Sequence, residues 1–359
     1  MKKKVIIAAA LVLVGATASL LFLHHRREQQ TLRVVTTLTE SETLGFRGSL
    51  NAFADNNPDF TFEVHPFEPR DDAFPNDFPT ADVILISQAE LAQQIPHNFD
   101  LAELDDPELD LEIDFQGSYS SGLLGAFEAN AAGSIQMLPI VWSPYGFFIN
   151  TETFARRGIG RPSSWTAFTE AVPGISQRPS PTPIGFAGER GNIGQRLEWM
   201  LIANGPEAND QPTGAELFET WTRREFIHPG SSEMSAGDAA RMLENSRLAM
   251  VFASSEFRAH LTIDGLDDVS FLPMPVYRAG APALAARVAG MALSERGARK
   301  PVARAFAEFL ASPTAQELWI TSTERRFIHN TANLATRDPN SDAVTGKLLN
   351  RAVDTLFLE

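Results

Sequence analysis

The chain has 359 residues, long enough for two lobes, with an ordinary globular share of apolar (43%) and charged (21%) residues. Its net charge is −15; five of its 30 basic residues lie in the first 27, which hold no acid, so the rest sets 45 acidic residues against 25 basic ones. That excess argues against nucleic acid, which needs clustered cations, and the absence of cysteine excludes disulfides, thiolate metal sites, cysteine nucleophiles and a lipid-modified Cys.

Lys2, Lys3 and Lys4 precede an uncharged, mostly apolar run from Val5 to Leu23, closed by His24-His25-Arg26-Arg27. Residues 1–30 read as a signal peptide or an N-terminal membrane anchor with a polar linker. The run is long for a signal h-region and just long enough to span a bilayer. Ala16-Thr17-Ala18 offers a cleavage site, yet Leu20 to Leu23 continue the run past it. Export follows from either form, to the periplasm or the cell exterior.

Leu32 to Leu38, rich in β-branched residues, predicts a first strand. Phe46, Leu50, Phe53 and Ala54 share one face of a helix over 43–55 that Asn56-Asn57-Pro58 ends. Phe60 to Phe67 alternates as a strand. ADVILIS (81–87) is a short apolar run suited to a buried parallel strand, with a helix from Gln88. This order opens an α/β lobe with a parallel sheet. Residues 69–80 read as a Pro/Asp-rich loop. The acidic stretch 98–114 lacks the central Gly and closing Glu of an EF-hand and reads as solvated surface.

Residues 136–168 are the densest segment. Met137 to Ile149 is a candidate buried strand with a bent centre, ending at Asn150; a helical stretch, a Gly/Pro turn and Ser-Ser-Trp follow. Beyond it, helices are expected at 165–172, 192–203, 216–227, 236–245 and 256–261. Strands are expected at 184–188, 247–253, 269–273 and 288–294. Pro301 to Leu310 carries the clearest helical stripe, Ser312-Pro313 opens the next helix, and 342–357 reads as a closing helix. Gly188, Gly191 and Gly194 lack phosphate-loop spacing and Lys. No zinc-protease or nucleophile-elbow motif occurs, the seven histidines are dispersed, and no cofactor or metal is expected.

Several segments, in order over about 300 residues, resemble the type 1 extracellular solute-binding proteins of ABC importers, sugar-binding branch. LPIVWSPYGFFINTETF (138–154) resembles the strand that crosses between lobes, and GIGRPSSWTAF (158–168) the turn and helix after it. WMLIANG (199–205), MLENSRLAMVFASSE (242–256) and RKPVARAFAEFLASPTAQELW (299–319) are similar to later segments. Ser164 and Ala167 depart from the pattern, as do Asn245-Ser246 and Ser254-Ser255-Glu256.

The resemblance implies an α/β, two-lobe periplasmic-binding-protein fold (type II-like), its lobes joined by hinge crossing strands. Lobe 1 would hold 31–141 and 285–330; lobe 2 would hold 142–284 and 331–359. A small solute, a carbohydrate favoured, would bind in the interlobe cleft of a monomer that closes by hinge motion and docks on a membrane permease. A non-sugar solute and a membrane-tethered sensory or regulatory receptor are the alternatives; an enzyme is not expected. Aromatic rings stack on sugars and polar side chains take hydroxyls, so Trp142, Ser143, Tyr145 and Trp199 are candidates. Glu40, Ser41 and Thr43 follow the first strand, and Ser87 and Gln88 the third, where ligand crevices form in open sheets. Ser254 and Glu256 follow a strand of the second lobe, Arg287 precedes the returning strand, and His329, Asn330 and Thr331 match a loop that reaches the cleft in the family. Trp165, Trp221 and Trp319 are expected in the core.

Overall fold

A computed structural model describes residues 30–38, 40–66, 80–87, 100–113, 134–176, 181–188, 193–207, 211–262, 265, 268–277, 286–322 and 328–329. Nine strands stand among them: β1 (Thr31–Thr36), β2 (Thr61–Pro66), β3 (Val83–Ile86), β4 (Leu138–Asn150), β5 (Thr182–Phe186), β6 (Leu248–Ser254), β7 (Val269–Leu272), β8 (Ala286–Leu293) and β9 (Ile328–His329). The helices are α1 (Glu40–Asn56), α2 (Thr151–Arg156), α3 (Trp165–Ile175), α4 (Ile193–Asn204), α5 (Gly214–Arg223), α6 (Ala236–Glu244), α7 (Glu295–Ala298), α8 (Pro301–Ala311) and α9 (Pro313–Ser322). The N-terminal apolar run and the expected helix at 342–357 lie outside the described residues. Among those described, no helix is long and apolar enough to cross a membrane.

The strands follow the order β2-β1-β3-β8-β4-β6-β5. The run 81–87 forms the buried parallel strand that its composition predicts: β3 lies parallel to β1 and antiparallel to the returning β8. β2 is parallel to β1 at the exposed edge. Side-chain alternation sorts neighbouring residues onto opposite faces. Leu32, Val34, Val83 and Leu85 meet Phe46, Phe53, Phe306 and Trp319 in one core, while Val35, Ile84 and Ile86 join a second core with Trp142, Phe147 and Phe252. Trp165, Trp221 and Trp319 are all buried, as expected. Gly45 allows the Trp319 ring to lie directly on α1, since any Cβ there would strike the indole.

β4 belongs to two ladders in succession. From Leu138 to Pro144 it pairs with β8, with β9 alongside at Val141 and Trp142. From Tyr145 to Asn150 it pairs with β6 and with β7. Proline cannot donate to a ladder and sits in strands at irregular places. Pro139 flanks the shift of register before Val141, and Pro144 is the last residue paired to β8. Gly146 admits β7 at close range; a Cβ there would come within 2.5 Å of the Phe271 ring.

Two expected helices differ. Residues 255–260 form a 3₁₀ helix after Ser254, whose side chain makes no cap. The helix expected to run to Ile227 stops at Arg223, because Glu225 turns left-handed (φ 57°) and sends Ile227 back to bridge Ile184. Within the acidic stretch, Asp106 caps a single 3₁₀ turn at Pro107–Leu109, and no group of three metal-ligating side chains occurs among the described residues.

Candidate functional site

The ends of both sheets meet where β4 changes partners. β1 and β3 finish at Thr36 and Ile86, and the backbone N–H of Ser87 donates to Thr37 Oγ1 at 3.2 Å. On the other side β6 ends at Ser254, opposite Tyr145. β8 extends past the end of β3, carrying Arg287 beside Ser143. The junction is therefore framed by the carboxyl ends of parallel strands, the usual place for a ligand crevice in an open α/β sheet.

Charged side chains from three elements converge there. Arg287 Nη1 lies 3.4 Å from Glu256 Oε2, and its Nη2 lies 3.7 Å from Glu42 Oε2. Glu42 comes from the first turn of α1, and Glu256 from the 3₁₀ helix after β6. The side chains of Glu42, Glu256 and Arg287 are 1%, 12% and 16% exposed, so the pairs are screened far less than surface ones. Ser143, fully buried, shares a 2.9 Å hydrogen bond with Ser255 and accepts from the Glu256 backbone N–H at 3.3 Å. That bond ties the turn bearing Glu256 to the crossing strand.

Tyr145 projects from the same face of β4 as Ser143, two residues on. Its ring is 4% exposed and stacks on Phe252, centroids 5.8 Å apart and planes at 22°. The Arg196 guanidinium, from the first turns of α4, stands 5.3 Å from the ring centroid, within cation–π range. Tyr145 is thus sandwiched, and it fixes a guanidinium over the junction. Trp142 is buried at 2% in the core shared by both sheets, while Trp199, one turn after Arg196, is 43% exposed.

The structure brings together Tyr145, Ser254, Glu256 and Arg287 of the sequence candidates, with Ser143. Thr43 is half-buried on α1, and Ser87 is buried at the end of β3. The backbone of Glu40 and Ser41 opens α1 and that of His329 pairs with Val141; their side chains lie outside the described residues, as do Gln88, Asn330 and Thr331. Sequence reasoning missed Glu42, Arg196 and Ser255. A signal for Glu42 existed: it precedes Phe46 by four residues and so shares the inward face of α1.

Residues 50–343 match the family model of bacterial extracellular solute-binding proteins. The chain belongs to that family. A search of the curated proteins finds no match. Among solved structures, maltose-bound T. maritima MalE3 superposes with a TM-score of 0.68 at 14% identity, covering 90% of this chain and 88% of that one. A probable secreted solute-binding lipoprotein of Streptomyces coelicolor gives 0.67 at 17% (90% and 86% covered), and the GacH receptor of Streptomyces glaucescens 0.66 at 15% (90% and 86%). At these identities the likeness fixes the fold: two α/β lobes joined by crossing strands. In this chain β4 is the strand that pairs in both sheets, and the charged junction lies where it passes from one to the other.

Proposed function

We propose that this solute-binding protein takes a carbohydrate in the cleft over β4 and delivers it to a membrane permease of an ABC importer by hinge closure. The observation that carries the reading is the handover of β4 from β8 to β6 between Pro144 and Tyr145, with Glu42, Arg196, Glu256 and Arg287 gathered around it. A sugar suits such a site because guanidinium and carboxylate groups give directional hydrogen bonds to hydroxyls, and an aromatic face covers the ring. Structural neighbours of the same fold bind oligosaccharide ligands: maltose in MalE3 and acarbose in GacH.

On this reading lobe 1 comprises 31–141 with 285–330, and lobe 2 comprises 142–284 with 331–359. The change of ladder partner falls three residues past that boundary. The contacts we assign to the ligand are Glu40, Ser41, Thr43, Ser87, Gln88, Trp199, Ser254, Glu256, Arg287 and His329, with Arg196 as a further donor that Tyr145 positions. Trp199 supplies the open aromatic face, and Trp142 supports the floor from beneath. The protein acts as a monomeric receptor without catalysis of its own. The uncharged run Val5–Leu23 favours retention on the outer face of the cytoplasmic membrane. It also keeps a second role open, that of a tethered sensor reporting occupancy to a membrane partner; both roles use the same cleft.

A thermal-shift screen of the full-length protein against sugars, polyols and anions tests the ligand class. A ligand at 100 times its Kd adds about 2.7 kcal/mol of stability. A raised melting temperature with an oligosaccharide is the expected result. A shift with anions and with no sugar would remove the carbohydrate reading.

A further inference from the structure

The junction holds a feature that ligand binding alone does not require. One guanidinium, at the start of β8, is approached by two carboxylates: Glu42 from the helix that follows β1, and Glu256 from the turn that follows β6. The two acids follow strands of different sheets, and both pair with Arg287. Arg287 itself is held by its register opposite Ser143, and Ser143 binds the backbone N–H of Glu256. The two ends of the guanidinium fork face different carboxylates: Nη1 donates to Glu256 at 3.4 Å, and Nη2 lies at ion-pair distance, 3.7 Å, from Glu42, a spread of charge that a lysine ammonium does not reproduce.

We propose that Arg287 is an interlobe latch, a positioning residue whose simultaneous pairing with Glu42 and Glu256 favours the arrangement in which the lobes approach. The proposal rests on the two-lobe division given above. Parting of the lobes carries Glu42 and Glu256 away from each other, so Arg287 retains one carboxylate and the other becomes hydrated. Two like charges held on one cation also repel when that cation is removed. The latch is therefore two-sided: with Arg287 it draws the lobes together, and without it the paired acids push them apart. Ionic strength acts on the open form, whose separated charges lie in water where salt screens them. Salt thus shifts the ligand-free protein towards open, and it weakens binding of an uncharged ligand through the hinge.

The test uses the lack of native cysteine, which permits clean labelling. Spin labels at Asn51→Cys on α1 and Glu219→Cys on α5, both exposed, report the interlobe distance in the full-length, ligand-free protein. Arg287→Met is expected to raise the open-to-closed ratio at least about fivefold, the lower end of ordinary coupling between sites, and to reverse its salt dependence, since salt then screens the repulsion between the two acids. Arg287→Lys is expected to recover part of the closed population. Where Arg287→Met does not fold, Glu256→Gln carries the same test, since it removes the charge of one of the two paired acids and leaves the Glu42 pair, with a smaller shift in the same direction. A distance distribution unchanged in folded Arg287→Met, or in Glu256→Gln, overturns the latch. The measurement needs no sugar, so its failure leaves the carbohydrate reading standing, and failure of the sugar screen leaves the latch standing.

Discussion

Trp199→Ala and Trp142→Ala separate cleft from core. Trp199 is 43% exposed, whereas Trp142 is 2% exposed within the core that joins both sheets. A tryptophan offers up to about 250 Å² of surface, so the free part of Trp199 is about 100 Å². At about 25 cal/mol per Å², a ligand covering all of it gains about 2.5 kcal/mol, and one covering half gains about 1.2 kcal/mol. Trp199→Ala is therefore expected to raise the Kd about eightfold to seventyfold, while stability stays within about 0.5 kcal/mol. Trp142→Ala is expected to lose about 3–5 kcal/mol of stability from the cavity it leaves. Isothermal titration with the sugar that gives the largest thermal shift, and urea unfolding of both variants, provide the readouts. A Kd within twofold of wild type in Trp199→Ala would refute the stacking role. A Trp199→Ala variant that loses several kcal/mol would instead make that ring structural.

At the opposite end of the first sheet, Lys300 donates to Asp82 at 2.8 Å and to the Thr31 carbonyl at 3.0 Å, with both side chains almost fully buried. Lys300→Met leaves a buried carboxylate whose remaining cationic neighbour is Arg296 at 4.0 Å, and is expected to cost about 3–5 kcal/mol in urea unfolding; a loss under about 1 kcal/mol would contradict that. Ser235 and then Arg241, both bonded to the Asp238 carboxylate in the first turn of α6, hold its pKa below the ordinary aspartate range. The lowered folded pKa means that this contribution is present above the unfolded pKa and fades as pH falls through the folded one. Asp238→Asn should thus flatten the acid limb of the stability profile and leave its alkaline side unchanged, and an unaltered acid limb would count against it. Gly146→Val should push Phe271 from β4 and lower the melting temperature, with β7 losing amide-exchange protection first; uniform loss across the sheet would not fit.

Much of the fold was legible because its signals are local. The apolar run 138–149, the capped turn at Ser164 and the stripe over 301–311 each announce an element within a single window. The site was legible only in part. Arg287 and Glu256 were found because they flank strand ends, but their pairing spans 31 residues and no local pattern encodes it. Glu42 was passed over because residues after β1 were read as a loop, whereas α1 begins at Glu40 and turns Glu42 inward. Arg196 carries no signal in its own helix; its meaning comes from Tyr145, far away in the chain.

The aromatic content of the crossing strand also takes a different role from a stacking platform. Tyr145 has Phe252 on one side and Arg196 on the other, so a pyranose cannot lie on it without displacing the guanidinium. Cation–π contact at a desolvated site is worth about 2 kcal/mol, which a neutral ring must match to take that place. The lower-energy course leaves the sandwich intact and uses Arg196 as a donor whose position Tyr145 fixes. In the proposed site, the exposed ring of Trp199, one turn further along α4, is the face left for a ligand to stack on. Tyr145→Phe keeps that sandwich and should keep affinity within about threefold, whereas Tyr145→Ala frees Arg196 and should weaken binding more than tenfold, by loss of a preorganised donor. Equal affinities in the two variants would show that the guanidinium, and with it the strand beneath, takes no part in holding the ligand.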